Sequence, residues 1–592
     1  MMMLRFIFIA LLFLFSNSAS ANVAHQNSFK NWQTITQPVA FNLFQTFSTN
    51  FTIFSLPNGE VVHYMDPGGN DACNGTSPSL GSSGNCAWLT PNGNAALKCG
   101  DVIIAAAGTY SNSGILVTRQ PTSCTTGSAT GGFDGAGGIY TVYVLCSTIY
   151  ACSIPAYSGG NPGANTLAVQ VQASNWAFEG WVCSVASGTP RTIQGCFGES
   201  SDSSTAIYHH IVFANNIAHD CGFGFGTGIS GTGGGQAVPG NGADYLAFLG
   251  NLTWQCNQVT NDGFGDQIFT ASIVCVNMAN SDPSNTTANR CVIRGNFAIN
   301  NNPGANGAVS DVEGIMRDTP QSHGTVGTDV VRDNVIYGSG GPGLQLTNQN
   351  TANQATPYTF DASFNTMYGN NACTPYDPFN STEVFYEYDS NYGMTVNHYN
   401  NISQARGANG TCSGSAEPNY AFSQGANNGI NLLNIIIGGT GQTNYMFGSA
   451  TVCHATCQSG SAPFILNSGN SIPVPSAGFN IYADPGFKNT TDLFSNHLTS
   501  STVWSNCLSF DNIPTCMGWN FISQTASSLS VIDDLTPQTA GAVGKGYRPP
   551  APCAADPGSL FPTWLKGFGG YLVWTGASII YKRGYINAPC GM

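Results

Sequence analysis

The sequence predicts an all-β chain in which short strands wind into stacked parallel coils, and three observations carry that prediction. One pattern recurs from about Ile207 to Asn401: a few apolar or β-branched residues, an Asn at a turn, more apolar residues, then Gly. Its copies read IVFANNIAHDCGFGFG, YLAFLGNLTWQC, CVIRGNFAINNNPGANG, VVRDNVIYGSGGPGLQL, FDASFNTMYGNN and TVNHYNNIS. The turn residues Asn216, Asn251, Asn296, Asn334, Asn365 and Asn401 follow one another at 35, 45, 38, 31 and 36 residues, a period that signals solenoids, propellers or arrays. The composition agrees: only 8% of residues are charged while 42% are hydrophobic, against roughly 25% charged in an average domain. Such a chain has an apolar core and turns made of Gly, Asn, Ser and Thr.

The copy at Asp329–Thr347 shows the strands. DVVRD is one short strand and Asn334 a corner; VIYG is a second strand, GSGGPG a second turn and LQLT a third strand. Three such strands with short turns need roughly 20 to 25 residues, so the surplus in each copy loops out. Asn suits the corner because it tolerates φ > 0, and its amide can bond to the same amide one coil along. Ordinary hairpins in an antiparallel sandwich are the alternative; the long spacing disfavours them.

These Asn-turn-apolar-turn-Gly coils resemble secreted right-handed parallel β-helix proteins of the pectate-lyase-like superfamily. DVEGIMRDT, followed by VVRDNVIYGSGGPGLQL and FNTMYGNN, looks like a run of such coils. Tyr64–Tyr110, with YMDPGGNDACNGTSPS and GDVIIAAAGTY, resembles the opening of many of them, and YADPGFKN resembles a closing segment. The resemblance covers about Tyr64 to Phe487. It implies a right-handed parallel β-helix with looped-out insertions and terminal caps, and an activity on polysaccharide.

In chain order, Arg5, the apolar run Phe6–Phe15 and Ala19-Ser20-Ala21 read as a signal peptide over residues 1–21, too short to span a bilayer. Residues 22–61 form a lead-in and cap, since a first coil would otherwise expose its core. Residues 62–507 form the β-helix, and 508–592 a C-terminal cap or small appended module. No transmembrane segment is expected after signal removal, and the protein is expected to be secreted, extracellular or on the cell surface.

All 20 cysteines follow the signal, so disulfides are expected in an oxidising compartment. Neighbour pairing is the simplest scheme, with Cys183–Cys196, Cys275–Cys291 and Cys507–Cys516 as examples. CHATC at Cys453–Cys457 lacks the second pair that a structural zinc site needs. Eight Asn-x-Ser/Thr sequons, at Asn50, Asn74, Asn251, Asn285, Asn380, Asn401, Asn409 and Asn489, matter where the host glycosylates. The net charge of −14 argues against nucleic acid, which demands clustered Lys and Arg. No Gly-Lys-Ser/Thr nucleotide loop, HExxH helix or nucleophile elbow occurs, and no organic cofactor is expected.

With charge so scarce, clusters are informative. SDVEGIMRDTPQSHG holds Asp311, Glu313, Arg317, Asp318 and His323. Strict alternation around an inward Ile315 would bury Glu313 and Arg317. The expectation is therefore that the alternation breaks at Gly314, placing Glu313 in a turn and Arg317 at a strand end on the rim of a groove. Asp266 on the coil before, Gln345 on the coil after, and Glu387 with Tyr386 on the next would line the same sheet and bind substrate. Asp311 and Glu313 would suit calcium; Arg317, His323, Asp318 and Glu313 form the expected catalytic set, in which Arg317 pairs with a substrate carboxylate or acts as the base, or His323 transfers the proton instead. For each residue a bland role in turn capping or packing is the alternative.

Two function classes follow. One is a lyase or glycoside hydrolase acting on extracellular polysaccharide in a groove along one parallel sheet. The other is a non-catalytic glycan-binding or adhesin-like solenoid. The sequence leaves the sugar, the linkage and the oligomeric state open.

Overall fold

The computed structural model describes residues 61–110 without a break, the strands and corners of successive coils from there to 404, and separate strand segments at 52–54 and between 420 and 582. Among the described residues there is no helix. The signal peptide and Cys507–Cys516 pair expected above lie outside them.

Three sheets of eleven strands each dominate, and the chain visits them in rotation. Cys291–Arg294 lies in the first sheet, Phe297–Ile299 in the second and Ile315–Pro320 in the third; Thr328–Arg332 then returns to the first, beside Cys291–Arg294. Neighbours within these sheets pair in parallel, except for Thr443–Phe447 with Ala450–His454 at the end of the third. Parallel crossovers of this kind are right-handed, and the chain is a right-handed parallel β-helix. The coil anticipated at Asp329–Thr347 is present as Thr328–Arg332, Val335–Tyr337 and Leu344–Gln349.

The coil interior is filled by rows of like side chains. Phe178, Phe213 and Phe248 stack on the first sheet at 6.1 and 5.9 Å, followed in register by Ile293, Val331 and Ala362. Phe197 and Phe225 stack at 5.0 Å on the third. Each buried Phe contributes about 1.5–3 kcal/mol.

The corner between the first and second sheets is where sequence and structure agree most closely. Asn216, Asn251, Asn296, Asn334, Asn365 and Asn401 are each 0% exposed. The backbone N–H of Asn216 donates to Asn251 Oδ1 at 2.9 Å, that of Asn251 to Asn296 Oδ1 at 2.8 Å, that of Asn296 to Asn334 Oδ1 at 2.9 Å, and so on to Asn401. Each Nδ2 donates to a carbonyl on the preceding coil, as Asn296 does to Phe248 at 2.9 Å. The residue before three of these asparagines turns the chain in the left-handed region: Asn215, Gly250 and Gly295 have φ of 53°, 64° and 68°, and Gly180, before Trp181 at the equivalent corner, has 80°. Gly and Asn are the residues that accept this conformation most readily.

Six disulfides occur among the described residues: Cys73–Cys86, Cys99–Cys124, Cys146–Cys152, Cys183–Cys196, Cys221–Cys256 and Cys275–Cys291. All join sequence neighbours. At the N-terminal end Trp88, 0% exposed, plugs the first coil and donates from Nε1 to Cys73 O at 2.8 Å. Thr52–Phe54 pairs antiparallel with Ile579–Lys582, which pairs in turn with Tyr571–Trp574. The last part of the chain thus joins the lead-in strand.

Candidate functional site

The expected break of alternation at Gly314 does not occur. Glu313, Ile315 and Arg317 are all buried, at 1%, 0% and 0% exposure, so Glu313 and Arg317 do not stand on a groove rim. The physical reason is that Arg317 brings its counter-charge with it. Arg317 Nε donates to Asp329 Oδ2, Nη1 donates to Cys275 O at 3.1 Å, and the guanidinium lies 5.9 Å from the Phe360 ring centre.

The register explains why the pair is there. Arg317 stands opposite Cys275, and Asp329 stands opposite Cys291, whose N–H it accepts at 2.9 Å. One coil back, the same two positions are joined by the Cys275–Cys291 disulfide. One coil on, they hold Leu346 and Phe360. The seam between the third and first sheets is closed by a covalent bond, then an ion pair, then an apolar pair.

The remaining expected residues divide. Asp318, Thr347 and Tyr386 share one register row on the third sheet, and Gln345, half-buried, lies two residues before Thr347 with the same parity. Glu387 falls on the Thr319 and Asn348 row, of Arg317's parity. Met316 and Val274, of Gln345's parity, are each 1% exposed and pack with Ala271 in a small apolar cluster outside the main core. The outer face is therefore covered at that coil. Asp266, Asp311 and His323 lie outside the described residues. Glu313, the described half of the expected Asp311–Glu313 calcium pair, is buried.

A second set of ionisable groups, not anticipated from the sequence, gathers where successive coils enter the first sheet. Asn175, His210 and Tyr245 occupy equivalent positions with φ of 70°, 57° and 50°. A bulky residue in this region is strained by about 1–3 kcal/mol, and such residues cluster at functional sites. Arg290 follows on the next coil, its carbonyl accepting Leu246 N–H at 2.8 Å. Arg290 Nη1 meets Asp244 Oδ2 at 2.5 Å, with both side chains 0% exposed. The Arg290 guanidinium lies 5.5 Å from the Tyr245 ring centre, the Tyr245 ring stacks on His210 at 4.5 Å, and His210 Nδ1 is 2.9 Å from His209 Nδ1. His209 stands opposite Asp244 in register and its N–H donates to Ser174 Oγ at 3.0 Å.

His209 is the half-buried member of an otherwise buried set. Burial lowers its pKa, and the Asp244 charge works in the opposite direction. Burial, helped by His209, pushes His210 down to about 3. Both rings are neutral near pH 7, so one Nδ1 carries the proton between them and the other accepts it. If His209 is the donor, its Nε2 has a free lone pair and can act as a base; if His210 is the donor, His209 Nε2 carries a proton and can act as an acid. The sequence held a signal for this set. His210, Tyr245 and Arg290 each lie six residues before a ladder asparagine, and His209-His210 is an adjacent pair in a chain with 9 His.

No family model matches the chain, and no curated protein matches it. Among solved structures it is similar to a rhamnogalacturonan lyase, with 14% identity, 67% of this chain and 86% of that chain covered, and a TM-score of 0.36. It is also similar to the DFA-IIIase of Arthrobacter chlorophenolicus A6, with 10% identity, 72% and 95% covered and a TM-score of 0.29. A third is the A-module of the Azotobacter vinelandii mannuronan C-5 epimerase AlgE4, with 10% identity, 58% and 90% covered and a TM-score of 0.23. These are likenesses of shape and bear on no individual side chain. What the coil topology establishes is the fold: the chain is a right-handed parallel β-helix protein.

Proposed function

We propose that the protein is a carbohydrate-active enzyme of the polysaccharide lyase type, working at the entry to the first sheet with His209 as its acid–base group. The observation that carries this reading is the half-buried, neutral His209, bonded to His210 and standing beside the buried Asp244–Arg290 pair. A positioned imidazole with a pKa near or below neutrality is suited to taking a proton from carbon. Hydrolysis by paired carboxylates needs two free carboxyl groups across the scissile bond, whereas the carboxylate of this cluster, Asp244, is bound to Arg290. Elimination fits better. His209 Nε2 takes the proton from the carbon next to a uronate carboxylate. The electron pair left behind forms a carbon–carbon double bond, the bond to the glycosidic oxygen breaks, and that oxygen takes the proton back from His209 Nε2–H as it leaves.

The experiment is turnover of a panel of acidic and neutral polysaccharides, read by ultraviolet absorbance of unsaturated products and by reducing ends. On an acidic glycan that is cleaved, His209→Ala is expected to abolish unsaturated product and leave the fold intact. Full activity of that variant would refute the assignment. Binding without turnover on every glycan of the panel would support the non-catalytic reading, with Gln345 and the Asp318–Thr347–Tyr386 row as the surface to test.

A further inference from the structure

Four of the eight sequon asparagines lie on described backbone, Asn74, Asn251, Asn401 and Asn489, the last at the end of the strand Phe487–Asn489, and the hydrogen bonds of the first three are described. In Asn74-Gly75-Thr76 the asparagine is half-buried, the glycine buried and the threonine exposed. Asn74 Oδ1 accepts the Thr76 N–H at 3.1 Å and the Thr76 hydroxyl at 2.7 Å, a compact turn that places the Thr hydroxyl against the Asn amide. Asn74 Nδ2 donates to exposed Asn85 at 2.6 Å. Gly75 has φ of 71°, and a Cβ there would come within 2.5 Å of the Trp88 ring, so the turn is fixed by the cap beneath it.

Asn251 and Asn401 are rungs of the buried ladder. Asn251 Nδ2 donates to Phe213 O at 2.9 Å and to Asn296 Oδ1 at 3.1 Å, and its Oδ1 accepts Asn216 N–H. Both amide hydrogens are engaged and the side chain is 0% exposed. Asn401 Nδ2 donates to Ala362 O at 2.6 Å and its Oδ1 accepts Asn365 N–H at 2.7 Å. A sugar on either nitrogen replaces a ladder hydrogen and puts a bulky polar group into a closed corner, whereas attached glycans belong on the surface.

We propose that Asn74 is a surface site for N-glycosylation and that Asn251 and Asn401 are sequons the fold forbids, so that a glycan added there to the nascent chain diverts it from folding. The co-reactant is an oligosaccharide on a lipid diphosphate. The Asn Nδ2–anomeric carbon bond forms, the anomeric carbon–oxygen bond breaks, the lipid diphosphate leaves with the electron pair, and the amide proton passes to a base on the transferase.

The third residue of each forbidden sequon offers a clean test. Thr253 points into the coil between Ala218 and Ala298 of the adjoining coils, and its hydroxyl is buried with no hydrogen-bond partner among the described residues. Thr253→Ala therefore fits the row, keeps Asn251 and removes the sequon. Ser403→Ala keeps Asn401 and removes its sequon. The full chain is secreted from a host that glycosylates and, in parallel, exported to a bacterial periplasm. Glycopeptide mapping of the secreted protein is expected to show Asn74 occupied and Asn251 and Asn401 bare. The doubly substituted chain should be secreted in several-fold higher yield from the glycosylating host and in unchanged yield from the bacterium. A glycan on Asn251 or Asn401 of folded protein, a bare Asn74, or a yield gain equal in both hosts would overturn the proposal. These readouts do not depend on any enzymatic activity.

Discussion

Removing one half of the Arg317–Asp329 pair tests the interior architecture directly. Asp329→Ala leaves the Arg317 guanidinium, 0% exposed, with the Cys275 carbonyl and the Phe360 ring as its remaining neighbours among those described above. Breaking a buried ion pair by deleting one partner costs about 3–5 kcal/mol, because an uncompensated charge is left behind. That is a large share of the roughly 5–15 kcal/mol by which a folded domain is stable. Replacing both partners has a different outcome. Arg317→Leu with Asp329→Phe copies the Leu346 and Phe360 positions of the next coil, and a buried pair exchanged for apolar residues is neutral or stabilising by about 1–4 kcal/mol. Arg317→Cys with Asp329→Cys copies the Cys275–Cys291 bridge of the coil before, where the Cα atoms are 6.6 Å apart. Urea unfolding followed by tryptophan fluorescence gives the midpoints. The single variant should lie far below the wild type and the Leu–Phe variant at or above it. A cost for Asp329→Ala of less than about 1 kcal/mol is what an exposed pair gives, and would refute burial of Arg317.

Other outcomes follow from the same physics. Asn296→Ala removes the acceptor of the Asn251 N–H and the donor to Phe248 O; at about 1–3 kcal/mol for each buried group left unpaired, its unfolding midpoint should fall well below that of a surface Asn→Ala control. His210 has a folded pKa of about 3 against about 6.5 unfolded. Between these values the unfolded chain binds more protons, so this contribution to stability is complete above about pH 6.5 and is lost as pH falls toward 3. Unfolding midpoints measured down the acid range should show that slope, and His210→Gln should flatten it. Peptide mass mapping without reduction should recover all six neighbour disulfides described above, and free thiols at those positions would contradict the fold.

The corners and cross-links were legible in the residues because they are local. A left-handed residue followed by Asn turns the chain in the same way at Asn215-Asn216, Gly250-Asn251 and Gly295-Asn296. Cys146–Cys152, Cys183–Cys196 and Cys275–Cys291 join one strand to the next along the chain, whereas Cys221–Cys256 joins equivalent positions of adjacent coils. The site was not legible in this way. Alternation was expected to break at Gly314 because isolated charges avoid the interior, yet Asp329, twelve residues on, shares the interior with Arg317 and removes the objection. His209, Asp244 and Arg290 lie on three coils separated by inserted loops of unequal length.

By itself the sequence determined the repeating unit: where the chain turns and which strands stack. The tertiary structure decided which charges face inward together and which meet across coils. Turn preferences and strand alternation depend on a residue and its immediate neighbours. The energy of a buried charge depends on its partner, and the register of parallel strands brings that partner from another coil.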